Sequence, residues 1–209
     1  MNKPKIIFLD WNKTLSSTRF WEQLSDPTHE LNQLFTKIES VLFNKDYNIV
    51  NPWMLGKITS EEVCKFISQK IGVEHSVLQK ELKRSCVNMK FINDNVTKIL
   101  RQLKMQGVVL VIATDNMDTF SKYTYPTINK YSLFDGYLNS YDIGCFKYDF
   151  LDNRLPFFDS YLHTHGYSYN DVVLIDDSLE KVGNFERLGF KIINVNDSFP
   201  VDKALAKYT

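Results

Sequence analysis

Residues 5–14 read Lys5-Ile6-Ile7-Phe8-Leu9-Asp10-Trp11-Asn12-Lys13-Thr14. Four apolar residues in a row, with no polar alternation, fit a strand buried on both faces, and such strands belong to parallel sheets. An acid ends the run. Three further runs share this character: 108–113 (Val108-Val109-Leu110-Val111-Ile112-Ala113), 172–175 (Val172-Val173-Leu174-Ile175) and 190–195, which opens on Phe190 and closes on Val195. Helical periodicity separates them. Over 95–106, Val96, Ile99, Leu100 and Leu103 fall on one face, and Gly107 is placed to end the helix. A second helix is read over 178–188, with Gly189 in the same terminal role. Strand, helix and strand in repeated order predict an α/β fold with a doubly wound parallel sheet.

Residues 18–91 break this rhythm and read as all-helical. Asp26-Pro27 offers an N-cap with Pro at the first helical position, opening a helix toward Phe43. Thr59-Ser60-Glu61-Glu62 reads as a capping box for the next helix, which Gly72 closes. A third helix is expected over 74–84. The expected organisation is a core made of 1–17 and 92–209, interrupted after its first strand by a small helical insert, 18–91. No internal repeat or low-complexity tract is evident.

Composition narrows the partners. Lys+Arg and Asp+Glu are both 25 in 209 residues, so no net charge draws the chain to a nucleic-acid backbone or an anionic membrane. The aliphatic run 108–113 is too short to span a bilayer. After Lys3-Pro4-Lys5 the apolar segment stops at Asp10 without a small-residue cleavage site, so no signal peptide is expected. Cys64, Cys86 and Cys145 are odd in number and lack C-x-x-C spacing, which argues against zinc and disulfides and fits a reducing cytoplasm. A small-molecule partner is expected, with no nucleic acid and no membrane, and the chain is expected to be a monomer or weak homodimer.

Ligands of open α/β sheets bind beyond the carboxyl ends of the strands. The first strand ends at Asp10, the second at Thr114-Asp115-Asn116, and the strand over 172–175 at Asp176-Asp177. A carboxylate that caps a buried strand is costly unless it is paired, hydrogen-bonded or metal-bound. Asp10, Asp176 and Asp177 together concentrate negative charge, which a hard cation with oxygen ligands relieves. Lys147, in the loop after residues 137–140, is placed to add a positive charge, with Lys122 and Lys130 as rivals for that role. By residue type alone, Asp115 and Asn116 read as turn and capping residues.

This order of elements resembles the haloacid dehalogenase-like (HAD) superfamily, subfamily I, over nearly the whole chain. Its first motif is an apolar strand followed by D-x-D-x-T, here Asp10 to Thr14. Its second is a strand ending in Ser or Thr, here Thr114; its third is a Lys, here Lys147; its fourth is an acidic pair or related cluster, here Asp176-Asp177. The helical insert looks like the family's C1 cap over a Rossmann-like core. The resemblance implies a Mg²⁺-dependent hydrolase, a phosphatase or phosphotransferase acting on a small phosphorylated compound. Asp10 is then the nucleophile that becomes phosphorylated. Mg²⁺ is held by Asp10, the backbone carbonyl of Asn12 and one of Asp176 and Asp177. Thr114 and Lys147, with Asp115 beside them, are assigned to the phosphoryl group.

One position departs from the pattern. Asn12 stands where the family's phosphatases carry a second Asp, which protonates the leaving alcohol and then activates water. An amide does neither, and loss of a positioned acid/base slows a reaction by ~10²–10⁴-fold. Three readings follow: a slow phosphatase, or one for leaving groups that need no proton, such as aryl or acyl phosphates; a dehalogenase- or phosphonatase-like branch; or a non-catalytic phosphate- or partner-binding protein. The dehalogenase reading wants an anion-binding Arg near the cap, for which Arg19 is the candidate. Phe20, Trp21, Tyr47 and Trp53 read mostly as insert core, with one or two facing the site. Trp11 is expected to point away from the metal, and His163 and His165 read as helix C-terminal residues.

Overall fold

Strand β1 (Ile6–Leu9) lies at the centre of a five-stranded, all-parallel sheet of order β3-β2-β1-β4-β5 in the computed structural model, which describes residues 4–178 and 182–209. Its companions are β2 (Val109–Thr114), β3 (Gly136–Asn139), β4 (Val172–Asp176) and β5 (Lys191–Asn194). The chain fills one side of β1 before returning to the other, so β1 and β4 flank the point where strand order reverses. The unbroken apolar runs have a direct cause. Alternate residues feed two separate cores: Ile7, Leu9, Leu110, Ile112, Val173 and Ile175 on one face, and Ile6, Phe8, Val111, Ala113, Val172 and Leu174 on the other.

The helices are α1 (Asn32–Leu42), α2 (Val50–Met54), α3 (Ser60–Ile71), α4 (His75–Val87), α5 (Asp94–Met105), α6 (Tyr125–Ile128), α7 (Ser140–Ile143), α8 (Pro156–Thr164), α9 (Val182–Leu188) and α10 (Val201–Ala206). The capping box at Thr59 opens α3, and Gly72 closes it at φ 70°. Gly107 and Gly189 follow α5 and α9 with positive φ. At Gly189 a Cβ would also collide with the Asn170 side chain, so both backbone and space demand glycine there.

Two sequence readings need correction. Asp26-Pro27 does not open a helix: the Asp26 carboxylate accepts from the Thr28 N–H and hydroxyl at 2.8 Å in a local turn, and α1 begins at Asn32. The sheet also has a fifth strand, β3, beyond the four apolar runs. Gly-Tyr-Leu-Asn is short and only half-buried, so it lacks the continuous apolar signal that marks the central strands. The helix read over 178–188 is described from Val182 onward, and residues 179–181 lie outside the described ones.

Helices α1 to α4 lie between β1 and α5 in sequence, and their apolar faces (Leu34, Ile38, Val63, Ile67, Leu78, Leu82) join the same core as Ile7 and Leu9. The outgoing and returning segments touch: Ile92 N–H donates to Leu15 C=O at 2.8 Å. A buried carboxylate fastens these helices over the sheet. Asp118 accepts from Trp53 Nε1 (2.8 Å), Ser60 Oγ (2.8 Å), Ser60 N (3.2 Å) and Lys122 Nζ (2.7 Å). Burial by itself raises such a carboxyl's pKa, but the donors from Lys122, Trp53 and Ser60 outweigh it and hold Asp118 below the ordinary range. Ser140 adds a second tie, accepting from Asn116 N–H at 3.0 Å and donating to Met54 C=O at 2.7 Å.

Replacing Asp118 by Ala strands the buried Trp53 donor and is expected to reduce stability by about 3 kcal/mol. Lys122→Ala, which removes a half-exposed partner, is expected to lose less than about 1 kcal/mol. Because the Asp118 pKa is lowered, its contribution is present above the ordinary Asp range and fades as pH falls through the lowered value. Urea denaturation of both variants measures the difference, and equal small losses would rule out the fastening role.

Candidate active site

Pairing register assembles the strand ends. Leu9 lies level with Ile112 and Ile175, so the next residues bring Asp10 beside Asp176, with Thr114 one step further along β2. The Asp10 N–H donates to Ile175 C=O at 3.0 Å, extending the ladder to the acid itself. Asp10 and Asp176 are buried and Asp177 is half-buried, and one carboxylate oxygen from each of the three lies within 4.8 Å of the others.

Lys147 sits among them. Its Nζ donates to Asp10 Oδ1 at 2.6 Å and to Asp176 Oδ2 at 2.7 Å, and the lysine is 4% exposed. Its backbone is fixed by the Lys147 N–H donating to Asp115 Oδ1 at 2.9 Å. The Tyr148 ring anchors the loop further, packing on Phe185 with centroids 5.2 Å apart while its hydroxyl donates to Ser178 C=O. Of the rival lysines, Lys122 is bound to Asp118 and Lys130 lies over the Tyr131 ring.

The electrostatics follow from burial and charge count. Burial pushes the Asp10 carboxyl up to about 7, with Asp176 and Asp177 adding to the rise and Lys147 opposing it. Asp115 is pushed up to about 6, again mainly by burial. Burial acts to lower the Lys147 pKa, but Asp10, Asp176 and Asp115 outweigh it and keep the ammonium charged. Two hydroxyls of the same strand ends, Thr14 Oγ1 and Thr114 Oγ1, are buried and have no partner among the described residues. Buried hydroxyls are rarely left so.

Asn12 lies on the turn beyond Asp10. Ser16 N–H donates to Trp11 C=O at 2.9 Å and Lys13 N–H to Ser16 C=O at 2.7 Å, with Lys13 in the left-handed region at φ 59°. Asn12's own carbonyl takes no part in that turn's hydrogen bonds. Trp11 points into the core against Phe91 and Phe120, away from the acids. Beyond Asn12 opens a cavity of 390 Å³ walled by Phe20, Trp21, Ile38, Leu42, Phe43, Met89 and Met117. Arg19 borders it, but its Nη1 is paired with Glu39 at 3.1 Å and its guanidinium lies over Phe35, so its charge is already matched. Neither this cavity nor a larger hollow of 660 Å³ around Arg154, Asp159 and His163 is lined by the strand-end acids, but the first is lined by Asn12, two residues beyond Asp10.

The structure thus brings together Asp10, Lys147, Asp115, Asp176 and Asp177. The Asp115 carboxylate, expected on the phosphate side, is turned to the Lys147 backbone instead. Sequence reasoning missed Asp118, Ser140 and Tyr148, of which only the Asp118–Lys122 spacing of four left a trace. Three carboxylates without His or Cys form a hard-oxygen donor set, and one buried lysine does not balance their charge, so the residues fit a divalent cation such as Mg²⁺.

A parallel sheet with an acid ending its central strand, opposite a strand ending in adjacent acids and beneath inserted helices, defines the architecture of the HAD-like hydrolases. The chain has that fold. It is similar over 98% of its length to a predicted HAD-like family hydrolase from Porphyromonas gingivalis, with 97% of that chain covered, a TM-score of 0.68 and 16% identity. A HAD family enzyme from Bacteroides thetaiotaomicron, in complex with magnesium and inorganic phosphate, matches 92% of this chain and 94% of its own at TM-score 0.65 and 17% identity. L-2-haloacid dehalogenase from Xanthobacter autotrophicus, with chloropropionic acid covalently bound, matches 92% of this chain and 77% of its own at TM-score 0.62 and 13% identity. No protein-family model and no curated protein matches the chain. Among the described residues no helix is long and apolar enough to cross a membrane.

Metal ligands must be deprotonated, so the raised Asp10 value makes Mg²⁺ binding release protons near neutrality. Affinity is expected to fall about tenfold from pH 8 to pH 6. Calorimetric Mg²⁺ titration in buffers of different ionisation enthalpy measures both effects, and a pH-independent affinity would show that Asp10 is not a titrating ligand.

Proposed function

We infer that the protein is a Mg²⁺-dependent hydrolase that transfers the phosphoryl group of a small compound to Asp10. The observation that carries this reading is the buried Asp10 carboxylate held at 2.6 Å by Lys147 within an acid cluster suited to a divalent cation. Asp10, Asp176 and Asp177, with the Asn12 backbone carbonyl, would hold the cation, which would supply positive charge against the repulsion between carboxylate and phosphoryl oxygens.

The chain's own residues do the rest. Asp10 forms a bond to phosphorus while the bond from phosphorus to the organic oxygen breaks, and that oxygen departs with the electron pair. Lys147 has three donors, of which two hold Asp10 and Asp176, and the third is available to a phosphoryl oxygen. The Thr114 hydroxyl, at the end of β2, supplies a further donor from a position already desolvated. Water then attacks phosphorus, the bond from phosphorus to the Asp10 oxygen breaks, and inorganic phosphate leaves as the carboxylate is restored; water's proton passes to solvent, because Asn12 offers this step no base. The first step is therefore fast relative to the second for leaving groups that need no proton.

A second reading, a phosphate-binding protein without turnover, rests on Asn12 alone. The dehalogenase-like reading is weakened by the matched charge of Arg19.

Stopped-flow assay with p-nitrophenyl phosphate and Mg²⁺ is expected to give a stoichiometric burst of p-nitrophenolate, then slow turnover, with a phosphoryl adduct in the intact mass. Asn12→Asp is expected to raise steady-state turnover by ~10²-fold or more, and Asp10→Asn to abolish burst and adduct. Phosphate binding with no burst or adduct in either the parent or Asn12→Asp would replace the hydrolase with the binding protein.

A further inference from the structure

We propose that the cavity between Asn12 and α1 is a binding site for an apolar aromatic group, which makes aryl phosphates the substrate class; this rests on the phosphoryl-transfer reading above. The first observation is the character of the walls. The 390 Å³ space accommodates a small ring system and is bounded by Phe20, Trp21, Ile38, Leu42 and Met117. Phe20 is held in place against Trp53 at 5.7 Å and Trp21 at 6.4 Å between ring centroids. A further ring packs onto such a wall edge-to-face or offset. The polar lining residues, among them Lys13, Ser17 and Thr18, share the cavity with these walls, but a polyhydroxylated or anionic group filling it would bury polar atoms against carbon, and Arg19 is already paired with Glu39.

The second observation is independent of the first. Asn12 lines the cavity and lies two residues beyond Asp10, and its amide has no proton to give the departing oxygen. As Asp10 bonds to phosphorus, the electron pair of the broken bond must leave on that oxygen unaided. A phenolic oxygen, with a pKa of about 10, accepts it far more readily than an aliphatic hydroxyl, which is a much weaker acid, close to water. The phenolate takes its proton from solvent after release. An alkyl phosphate meets only the apolar requirement, and acetyl phosphate only the leaving-group requirement. An aryl phosphate meets both.

The test uses non-hydrolysable probes and reads binding. Phenylphosphonate, methylphosphonate and inorganic phosphate are titrated calorimetrically into the Mg²⁺-loaded protein and into Ser17→Trp. Ser17 is exposed, borders the cavity and lies outside the set assigned to the phosphoryl group. Phenylphosphonate is expected to bind about tenfold or more tightly than methylphosphonate. Ser17→Trp is expected to remove that preference while leaving inorganic phosphate binding unchanged. Equal affinity of the two phosphonates in the parent, with phosphate still bound, overturns the aromatic site and leaves the phosphoryl-transfer reading standing. Failure of all three to bind overturns both.

Discussion

Three carboxylates converge at the carboxyl edge of a sheet whose central strand is fully buried, and the rest of the molecule is arranged around that charge. Their nearest oxygens lie within 4.8 Å of one another, and two unit charges at that separation repel by roughly 3.5 kcal/mol at an effective dielectric of about 20. Lys147 offsets part of this by touching Asp10 and Asp176 at once. The Asp115 carboxylate and the Tyr148 ring keep the lysine's backbone where its side chain can reach both acids. Even so, the charge sum at the edge stays negative. Burial raises the Asp10 pKa, and Asp176 and Asp177 add to the rise against Lys147; a divalent cation would offset both effects.

The sheet makes such an edge possible. With both faces covered, its strands are a rigid, dry platform, and the register between β1 and its neighbours fixes Asp10 against Asp176 within the pleat. The inserted helices are fastened to the same platform. Asp118 lies four residues beyond Thr114, so the ties to Trp53 and Ser60 act on the very loop that presents the Thr114 hydroxyl. Ser140 reaches Met54 from the end of β3, next along the edge. The helices over the cavity and the donors beneath it are thus positioned by one short stretch of chain, which couples the shape of the apolar space to the placement of the charged groups.

What the sequence discloses follows the same physics. Asp10, Thr114 and Asp176 are legible because an apolar run buried on both faces advertises its own end, and the residue there inherits a predictable place; Lys147, in a loop, is legible only through the family's motif order. The edge strand β3 has no such run, since one flank is open and its residues are half-buried, so it leaves no signature. The turn at Asp26 misleads because Asp-Pro is compatible with a helix start and with a local turn, and only packing decides between them. Asp118 and Ser140 are invisible as fastenings because their partners lie 65 and 86 residues away, and no spacing rule reaches that far. The cavity likewise emerges only when segments distant in the chain, from Asn12 to Met117, are brought to face one another.

Asn12 marks the place where these two regimes meet, with the acid cluster behind it and the apolar walls ahead. An amide retains the backbone carbonyl that can serve a cation, and it removes one negative charge from an edge that already carries three. It also removes the only side chain at that position able to move a proton. On the proposed reaction, discrimination among substrates then passes from the protein to the chemistry of the departing oxygen, because a group that cannot stabilise its own charge finds no donor. The walls of the cavity act in the same direction, since an aromatic ring both delocalises that charge and fits against Phe20 and Trp21. A carboxylic acid at position 12 would broaden the range of leaving groups, but it would also place a further charge at the mouth of an apolar pocket. The amide and the pocket therefore form a consistent pair.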